Sequence, residues 1–138
     1  MIIEKKFDEL TLKELFYLLK LREEVFILEQ HILAEAEIDE HDFISNHYFI
    51  KENEQIVAYL RVFPSDGSMK LGRLCTKKEF RKKGYAKTLI NHVQSQYKSI
   101  IISAQYIVKD FYQKLGFKVM SKKYKEAGID HIKMVYLK

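Results

Sequence analysis

Residues 72–93 read GRLCTKKEFRKKGYAKTLINHV, and they join the end of a strand, a basic loop and the start of a helix. Ala86, Leu89 and Val93 recur at helical spacing, so a helix is predicted to begin near Gly84. The first N–H groups of a helix lack intrahelical partners and carry the positive end of its dipole. Cations gathered around a glycine at such a helix start therefore favour an anionic ligand.

A Walker A phosphate loop is one candidate for this segment, because Lys87 and Thr88 match its ending. That motif needs glycine at positions 81 and 86, where the chain has Arg81 and Ala86, so the Walker A class is excluded. The remaining pattern suits a pyrophosphate, since Gly84 and Ala86 are small enough for close approach. A solvated basic loop without a ligand is the alternative that this pattern leaves open. The residues expected to surround the phosphates are Arg81, Lys82, Lys83, Gly84, Tyr85, Ala86 and Lys87.

Length and composition indicate one domain over residues 1–138 with a sizeable core, since 47% of the residues are hydrophobic. The net charge of +5 permits an anionic partner but does not by itself indicate nucleic acid. The one cysteine, Cys75, cannot form an internal disulfide, which suits a reducing compartment. Charged residues (Glu4, Lys5 and Lys6) stand where a signal peptide would need its apolar core. No run approaches the roughly 20 apolar residues of a membrane span. A cytoplasmic protein without a membrane partner is expected.

Patterning along the chain predicts seven strands and at least three helices. Thr11 and Glu14 form a capping box for a helix that runs to about Leu28, and an acidic, irregular segment with room for a short second helix follows over residues 29–45. A later helical stripe ends at Gly116, a C-terminal cap. Strands are predicted over residues 2–7, 47–51, 55–63, 69–76, 99–104, 117–124 and 131–137.

The strand at residues 99–104, SIIISA, is apolar without alternation, as expected of a strand covered on both faces. The predicted order is β-α-α-β-β-β-α-β-α-β-β. This order gives an α/β fold (an α+β mixed sheet), with a mixed central sheet and helices on both faces.

Several segments together resemble a known family. Residues 72–93 resemble the acetyl-CoA motif of the GNAT superfamily of N-acetyltransferases, and VKDFYQKLGF at residues 108–117 resembles its helix with a tyrosine before a Leu-Gly-Phe ending. Other segments resemble the ElaA-like branch, in the order LKLREEVFILEQ, EIDEHD, AYLRVFP, SAQ and EAGIDHIKM. The resemblance runs from about Leu18 to Met134.

The chain departs from the family pattern at two places. Gln105 stands where many members of the superfamily have asparagine, although the ElaA-like branch also reads SAQ. The stretch between Gln30 and Glu37 is about one residue longer than the branch pattern.

The resemblance implies an enzyme that moves the acetyl group of acetyl-CoA to a small-molecule or peptide amine by direct attack on the thioester. It implies that the pantetheine arm lies along the end of the fourth strand, at Leu74, Cys75 and Thr76, where that strand is splayed from its neighbour. A free backbone N–H there would stabilise charge on the thioester oxygen. Gln105, at the end of the facing strand, is assigned to the cofactor as well.

The same resemblance assigns Tyr112 as the acid that protonates the departing thiolate. Titration of its phenol would then produce a fall in rate at high pH. Packing in an apolar stripe with Phe111 and Leu115 is the alternative role for this ring.

A base is needed because a lysine-like amine has a pKa near 10.4 and must lose a proton before it attacks. Spacing singles out none of the candidates. Glu29 and His131 are preferred, since they lie in branch-specific segments that should flank the acceptor cleft. The full set of candidates is Glu29, Glu37, Asp39, His41, Glu126 and His131.

Arg22 falls inside the apolar arc of the first helix that Leu12, Leu15, Leu19 and Phe26 define. A buried arginine needs a carboxylate partner. We favour a structural role, in which Arg22 holds the acidic segment 29–45 onto the helix, over a role in binding an acidic substrate group.

Two other classes of function compete with catalysis. A nucleic-acid-binding module would use the basic segment 77–87 with Phe80 and Tyr85 as stacking platforms, but the 19 acidic residues spread among 24 basic ones argue against it. An acetyl-CoA sensor without turnover is the other. Cys75 is expected to be an inert core residue, and the five histidines show no metal-ligand spacing, so no metal is predicted.

Overall fold

Eight strands form one sheet in the computed structural model, which describes residues 1–138. The strands are β1 (Ile2–Lys6), β2 (Asn46–Glu52), β3 (Gln55–Ser65), β4 (Ser68–Thr76), β5 (Ser99–Gln105), β6 (Lys118–Val119), β7 (Tyr124–Glu126) and β8 (Ile129–Leu137). The helices are α1 (Leu12–Arg22), α2 (His41–Ile44), α3 (Tyr85–Gln96) and α4 (Lys109–Lys114). The sheet order is β1-β2-β3-β4-β5-β8-β6 with β7 on β8, and only β4 and β5 are parallel. The predicted mixed sheet is confirmed.

The structure has one strand more than the sequence predicted. Instead of one strand over residues 117–124 the chain forms two short ones, β6 inside that range and β7 from its last residue onward, and both pair with the same edge of β8. Ala127 and Gly128, with φ of 52° and 76°, form a left-handed two-residue turn. This turn folds β7 back onto β8 and makes a hairpin that ends beside β5.

The first helix begins at the predicted capping box. Glu14 N donates to Thr11 Oγ1 at 3.0 Å, and Thr11 N donates to Glu14 Oε1 at 2.9 Å. After α1 the chain continues as a π-helical segment, Glu23–Glu29, so the helical stretch ends one residue beyond the predicted Leu28.

The buried face of α1 differs from the predicted arc. Leu12 is 86% exposed, and the buried face is formed by Leu18, Leu21, Arg22 and the following Val25. Leucines occupy nearly every side of this helix, so hydrophobic spacing alone does not select one face. Arg22 belongs both to the predicted arc and to the observed buried face.

Helices cover both faces of the sheet, as predicted. On one face α3 and α4 contribute Leu89, Ile90, Val93 and Tyr112 to a core with the central strands. On the other face α1 packs Leu18 and Leu21 against Phe49, Tyr59 and Cys75. Along β5 the residues alternate between buried and half-buried, so this strand is fully covered only on the α3 face.

Strands β4 and β5 pair only at their beginnings, through Met69 with Ile100 and Lys70 with Ile101. Beyond these pairs a β-bulge interrupts the pairing of β4 with β3, and Arg73 adopts a left-handed backbone with φ of 55°. A bulge bends its strand and re-aims the side chains that follow. The gap between residues 71–76 and residues 102–105 is the result.

Candidate active site

The gap between β4 and β5 is a cleft of about 890 Å³. All of the predicted site residues line it except Lys83 and Glu29. Residues from both faces of the sheet reach it, with Tyr112 on the α4 side and His131 on β8. The splay that the resemblance implied for the end of the fourth strand is therefore present.

The loop at the mouth of the cleft holds a run of unpaired backbone donors. No N–H group from Lys82 to Lys87 donates to any backbone or side-chain acceptor, and the first helical bond runs from Thr88 N to Gly84 O at 3.0 Å. Gly84 has φ of 83°, and a β-carbon there would meet no atom within 4 Å. Several unpaired N–H groups beside open space at a helix start suit a phosphate.

The side chains around this loop are less uniform than the sequence suggests. Lys82 and Lys87 line the cleft, whereas Lys83 lies over the ring of Phe80 at 5.1 Å. The Tyr85 hydroxyl donates to Glu52 at 2.9 Å. Lys83 can therefore contribute its backbone N–H to a ligand, while its ammonium group is directed elsewhere.

Arg81 is held in a different way. Its NH1 and NH2 groups donate to the two carboxylate oxygens of Glu29 at 2.9 and 2.6 Å, and its Nε donates to the Thr76 carbonyl at 2.9 Å. The Arg81 bond lowers the pKa of Glu29. A carboxylate outside the cleft and engaged by arginine is a weak candidate for a base.

At the end of β4 one backbone donor points into the gap. Lys77 N donates to Val57 O of β3 at 2.7 Å, and N–H directions alternate along a strand, so the Thr76 N–H faces the β5 side. By the same alternation the Cys75 N–H faces β3. Burial raises the pKa of the Cys75 thiol and keeps it protonated, as expected of an inert core residue.

Tyr112 is 7% exposed, and its ring packs edge-on against Phe111 and Phe117. The Tyr112 hydroxyl has no hydrogen-bond partner in the protein. It is not fully buried either, because Arg61 Nε is the only fully buried side-chain nitrogen or oxygen without a partner. The Tyr112 hydroxyl therefore reaches the cleft. Burial raises the pKa of Tyr112 well above its usual value, so the phenol stays protonated at ordinary assay pH. The raised pKa moves the alkaline fall in rate expected of this phenol to a higher pH.

His131 presents one ring nitrogen as an acceptor. Its Nδ1 lies 2.8 Å from the Ile129 carbonyl, which can only accept, so Nδ1 carries the hydrogen and the Nε2 of the neutral ring has a free lone pair. The ring is 7% exposed and lines the cleft. Of the two preferred bases, His131 has the better position.

The other acidic candidates on the α1 side are held by arginines. Burial alone would raise the pKa of Asp39, but hydrogen bonds from Arg61 and the charges of Arg61 and Arg73 lower it to about 2. Glu37 accepts from Arg22 Nε at 2.7 Å and from Arg73 Nε at 2.8 Å. These carboxylates have structural partners already.

Arg22 has the structural contacts that we favoured. Its guanidinium is fully buried and bonds to Glu37 and to Asp42 Oδ1, at 2.8 Å for the latter. Arg61 and Arg73 belong to the same cluster, and sequence reasoning missed both. A signal was available, since each lies in a predicted strand where a buried cation would need one of the acidic residues of segment 29–45.

The segment after α1 also contacts both sides of the cleft. Gln105 Nε2 at the end of β5 donates to Gln30 Oε1 at 2.8 Å, next to the Glu29 contact with Arg81. Glu29 thus contacts the loop that follows β4, and Gln30 contacts the end of β5 across the gap.

The nucleic-acid alternative finds little support in this geometry. Phe80 and Tyr85 are half-buried and pack against the core cluster, so they offer no open stacking platform. No group of three or more His, Cys, Asp or Glu side chains is arranged to hold a metal ion. None of the helices is both long and apolar enough to cross a bilayer.

Comparison with known proteins identifies the family of the chain. The family described as "Acetyltransferase (GNAT) domain" matches residues 9–138. The Bacillus subtilis protein named "Uncharacterized N-acetyltransferase YjcF" is 35% identical over 93% of this chain and 94% of its own length.

Two crystal structures resemble the fold closely. An acyl-CoA N-acyltransferase from Pseudomonas aeruginosa has a TM-score of 0.90 at 29% identity and covers 99% of this chain and 98% of its own. ElaA of Escherichia coli has a TM-score of 0.88 at 26% identity, with the same coverage of 99% and 98%.

Proposed function

The chain belongs to the GNAT acetyltransferase family, and on this premise we propose that it transfers an acetyl group from acetyl-CoA to a primary amine. The observation that carries the proposal is the continuity of one cleft from the unpaired N–H groups of residues 82–87 to the hydroxyl of Tyr112. An anion site at one end and an unpartnered acid at the other match the two ends of a thioester cofactor. We place the reaction in the cytoplasm, whose reducing conditions suit the free thiol of Cys75.

The residues of the loop and of β4 would hold the acetyl-CoA. The run from Lys82 to Lys87 would bind the pyrophosphate, with Lys82 and Lys87 adding charge. The amide-rich pantetheine arm would lie along β4 in the gap. The Thr76 N–H, which faces this gap, would donate to the thioester oxygen as negative charge develops there.

The proton balance requires both an acid and a base. An ammonium acceptor loses two protons during acetylation, while the sulfur gains one. His131 Nε2 would take the first proton from the ammonium and release it to solvent. The neutral amine then forms the nitrogen–carbon bond, and Tyr112 would protonate the sulfur as the carbon–sulfur bond breaks. The second proton leaves the nitrogen to solvent and Tyr112 regains a proton from solvent, so that one proton is released in net for each acetyl group transferred.

The raised pKa of Tyr112 is compatible with this role. A thiol has a pKa of about 8.5 in water, and the burial that raises the pKa of the Cys75 thiol would act on a thiolate expelled into the same cleft. The pKa values of the Tyr112 phenol and of the departing thiol would therefore both be raised.

The test is a thiol-release assay with acetyl-CoA and a library of primary amines, applied to the wild type and to Tyr112→Phe. The variant keeps the ring and should keep its fold and its acetyl-CoA affinity, but its kcat should fall by roughly 10²-fold, the range for one general acid. Tyr136→Phe is the matched control, because its ring packs against Phe117 in the same core and its hydroxyl has no bonding partner.

Two outcomes would contradict the proposal. Binding of acetyl-CoA without thiol release for any amine would support the sensor alternative. Turnover of Tyr112→Phe equal to that of Tyr136→Phe would show that water protonates the sulfur.

A further inference from the structure

A chain of hydroxyl groups holds one oxygen of Glu126 at the edge of the cleft. Ser103 Oγ donates to Glu126 Oε1 at 3.1 Å, and the Tyr124 hydroxyl bonds to the same Ser103 oxygen. A carboxylate can only accept, so the single hydroxyl hydrogen of Ser103 goes to Glu126 and Tyr124 must donate to Ser103. The Glu126 carboxylate is thereby fixed in position although it lies near a hairpin turn.

The other oxygen of Glu126 faces His131 without a hydrogen bond. Glu126 Oε2 lies 3.6 Å from His131 Nε2, which is too long for one. Because Nδ1 of the neutral ring carries the hydrogen, Nε2 is an acceptor as well. Two acceptors thus converge on one point of the cleft, and no protein donor lies between them.

The strand register brings this pair of acceptors to the reaction centre. His131 pairs with Gln105 at the end of β5, and Tyr124 pairs with His131 across the hairpin. Directly paired residues project from the same face of a sheet, as do residues two apart on a strand. Ser103, Tyr124, Glu126 and His131 therefore share one face, beside the gap that the end of β4 borders on its other side.

We propose that Glu126 and His131 form the binding site for the ammonium group of the amine substrate. This inference rests on the proposed function and names its substrate class: primary alkyl amines that arrive protonated. An ammonium nitrogen can lie about 2.9 Å from both acceptors and donate to each. Glu126 then binds the charge, and His131 Nε2 accepts one proton, which leaves a neutral amine that can attack. The imidazolium so formed is paired with the carboxylate until the proton passes to solvent.

A charge-selective experiment tests this site. Acetylation kinetics are measured for an alkyl amine from the amine library and for a hydrazide of the same carbon skeleton, which is uncharged at pH 7. Glu126→Gln should raise the KM for the alkyl amine at least tenfold and change the KM for the hydrazide less than twofold. Ser103→Ala, which removes the positioning hydroxyl but no charge, should give a smaller rise with the same selectivity.

Asp130→Asn is the matched control. Asp130 lies on the same hairpin, its side chain has the same 41% exposure as that of Glu126, and it pairs with Lys125 and Lys123 outside the cleft. This variant should leave both KM values unchanged. An equal effect of Glu126→Gln on the alkyl amine and on the hydrazide would overturn the proposal, as would no effect on either.

A binding measurement separates this proposal from the proposed function. In protein labelled with 15N at histidine, propylammonium should shift the Nε2 resonance of His131, and propanol should not. The shift should persist in Asp130→Asn and vanish in Glu126→Gln. A wild type that binds propylammonium in this way but releases no thiol would refute the transferase alone, whereas absence of the shift in an active wild type would refute the ammonium site alone.

Discussion

The Arg81 guanidinium is already engaged at the start of the loop that would bind the cofactor. The loop that it opens is proposed to bind pyrophosphate, but both terminal nitrogens of Arg81 are bonded to Glu29. The two side chains of this ion pair are each 37% exposed, so the contact is accessible to solvent. A phosphate that approaches the loop would have to displace Glu29 to reach Arg81, or bind without this guanidinium.

Glu29→Gln should therefore strengthen CoA binding. An exposed ion pair contributes up to about 1 kcal/mol, so we expect a Kd lower by about threefold to fivefold, measured by calorimetry at low salt. The gain should shrink at high ionic strength. Glu24→Gln is the matched control, because Glu24 lies in the same π-helical segment and pairs with Lys20 and Lys77 instead.

The kinetics of the same variant decide whether Glu29 is a base. With His131 in that role, kcat of Glu29→Gln should stay within twofold of the wild type. A fall in kcat of roughly 10²-fold would restore Glu29 as the general base.

Sequence and structure agree best at residues whose role depends on local geometry. Gly84 and the N–H groups that follow it could be predicted, because a helix start is a local feature. The acidic segment could be named as the partner of Arg61 and Arg73, but not the individual carboxylates, since Glu37, Asp39 and Asp42 reach these arginines only after the sheet has formed. Spacing along the chain carries no information on such pairs.

At the scale of elements, the loop before α3 depends on a left-handed residue beside open space. Gly84 and Gly67 have nearly equal φ values, of 83° and 81°, and a β-carbon would meet nothing within 4 Å at either position. Gly67 lies in the β3–β4 turn, outside the cleft. An alanine would therefore be equally strained at the two positions, but only position 84 lies in the cleft where the cofactor is proposed to bind.

Gly84→Ala should weaken CoA binding, whereas Gly67→Ala should not. Each should lose about 1–2 kcal/mol of stability, because alanine is strained in the left-handed region. The methyl group at position 84 would occupy the space beside the unpaired N–H groups, and we expect the Kd for CoA to rise at least about tenfold, or ~1.4 kcal/mol. Unchanged CoA affinity in a folded Gly84→Ala protein would place the pyrophosphate elsewhere.

The strands show where sequence patterning stops being sufficient. β2 and β3 were predicted nearly in full, because their hydrophobic and β-branched residues form continuous runs. The presence of two strands, β6 and β7, in place of one over residues 117–124 was missed, since both strands are short and pair only with β8. The bulge at Arg73 was missed as well, although Gly72 inside the strand is a sign of such irregularity.

At the scale of the whole molecule, a cluster of three arginines and three carboxylates joins parts that are distant in sequence. It connects α1, the acidic segment, β3 and β4 on the face opposite to α3. Arg22 is fully buried at its centre, so its charge is tolerated only because the carboxylates neutralise it. The members are Arg22, Arg61, Arg73, Glu37, Asp39 and Asp42.

Arg22→Met should lower the free energy of unfolding by about 3 kcal/mol at pH 7, because it leaves a buried carboxylate short of a partner. Urea unfolding followed by circular dichroism measures the loss. Lys20→Met is the control, since Lys20 lies on the same helix and its pair with Glu24 is exposed. A stable Arg22→Met protein with a raised KM for the acceptor would instead support a substrate-binding role.

The pH dependence of this loss identifies its cause. Burial alone would raise the pKa of Asp42, but the hydrogen bonds and charges of Arg22 and Arg61 hold it below its usual value. A carboxyl group with a lowered folded-state pKa stabilises the protein above its unfolded pKa, and this stability is lost as the pH falls through the folded value. The wild type should therefore lose stability as the pH falls below about 4, the unfolded pKa of an aspartate, and on through the lower folded value. The free energy of unfolding of Arg22→Met should fall less over this range, because Arg22 no longer lowers the pKa of Asp42. The difference between the two proteins should shrink below about pH 4, whereas Lys20→Met should follow the wild type. A difference that stays constant from pH 7 to pH 3 would mean that Arg22 stabilises the fold by packing rather than by charge.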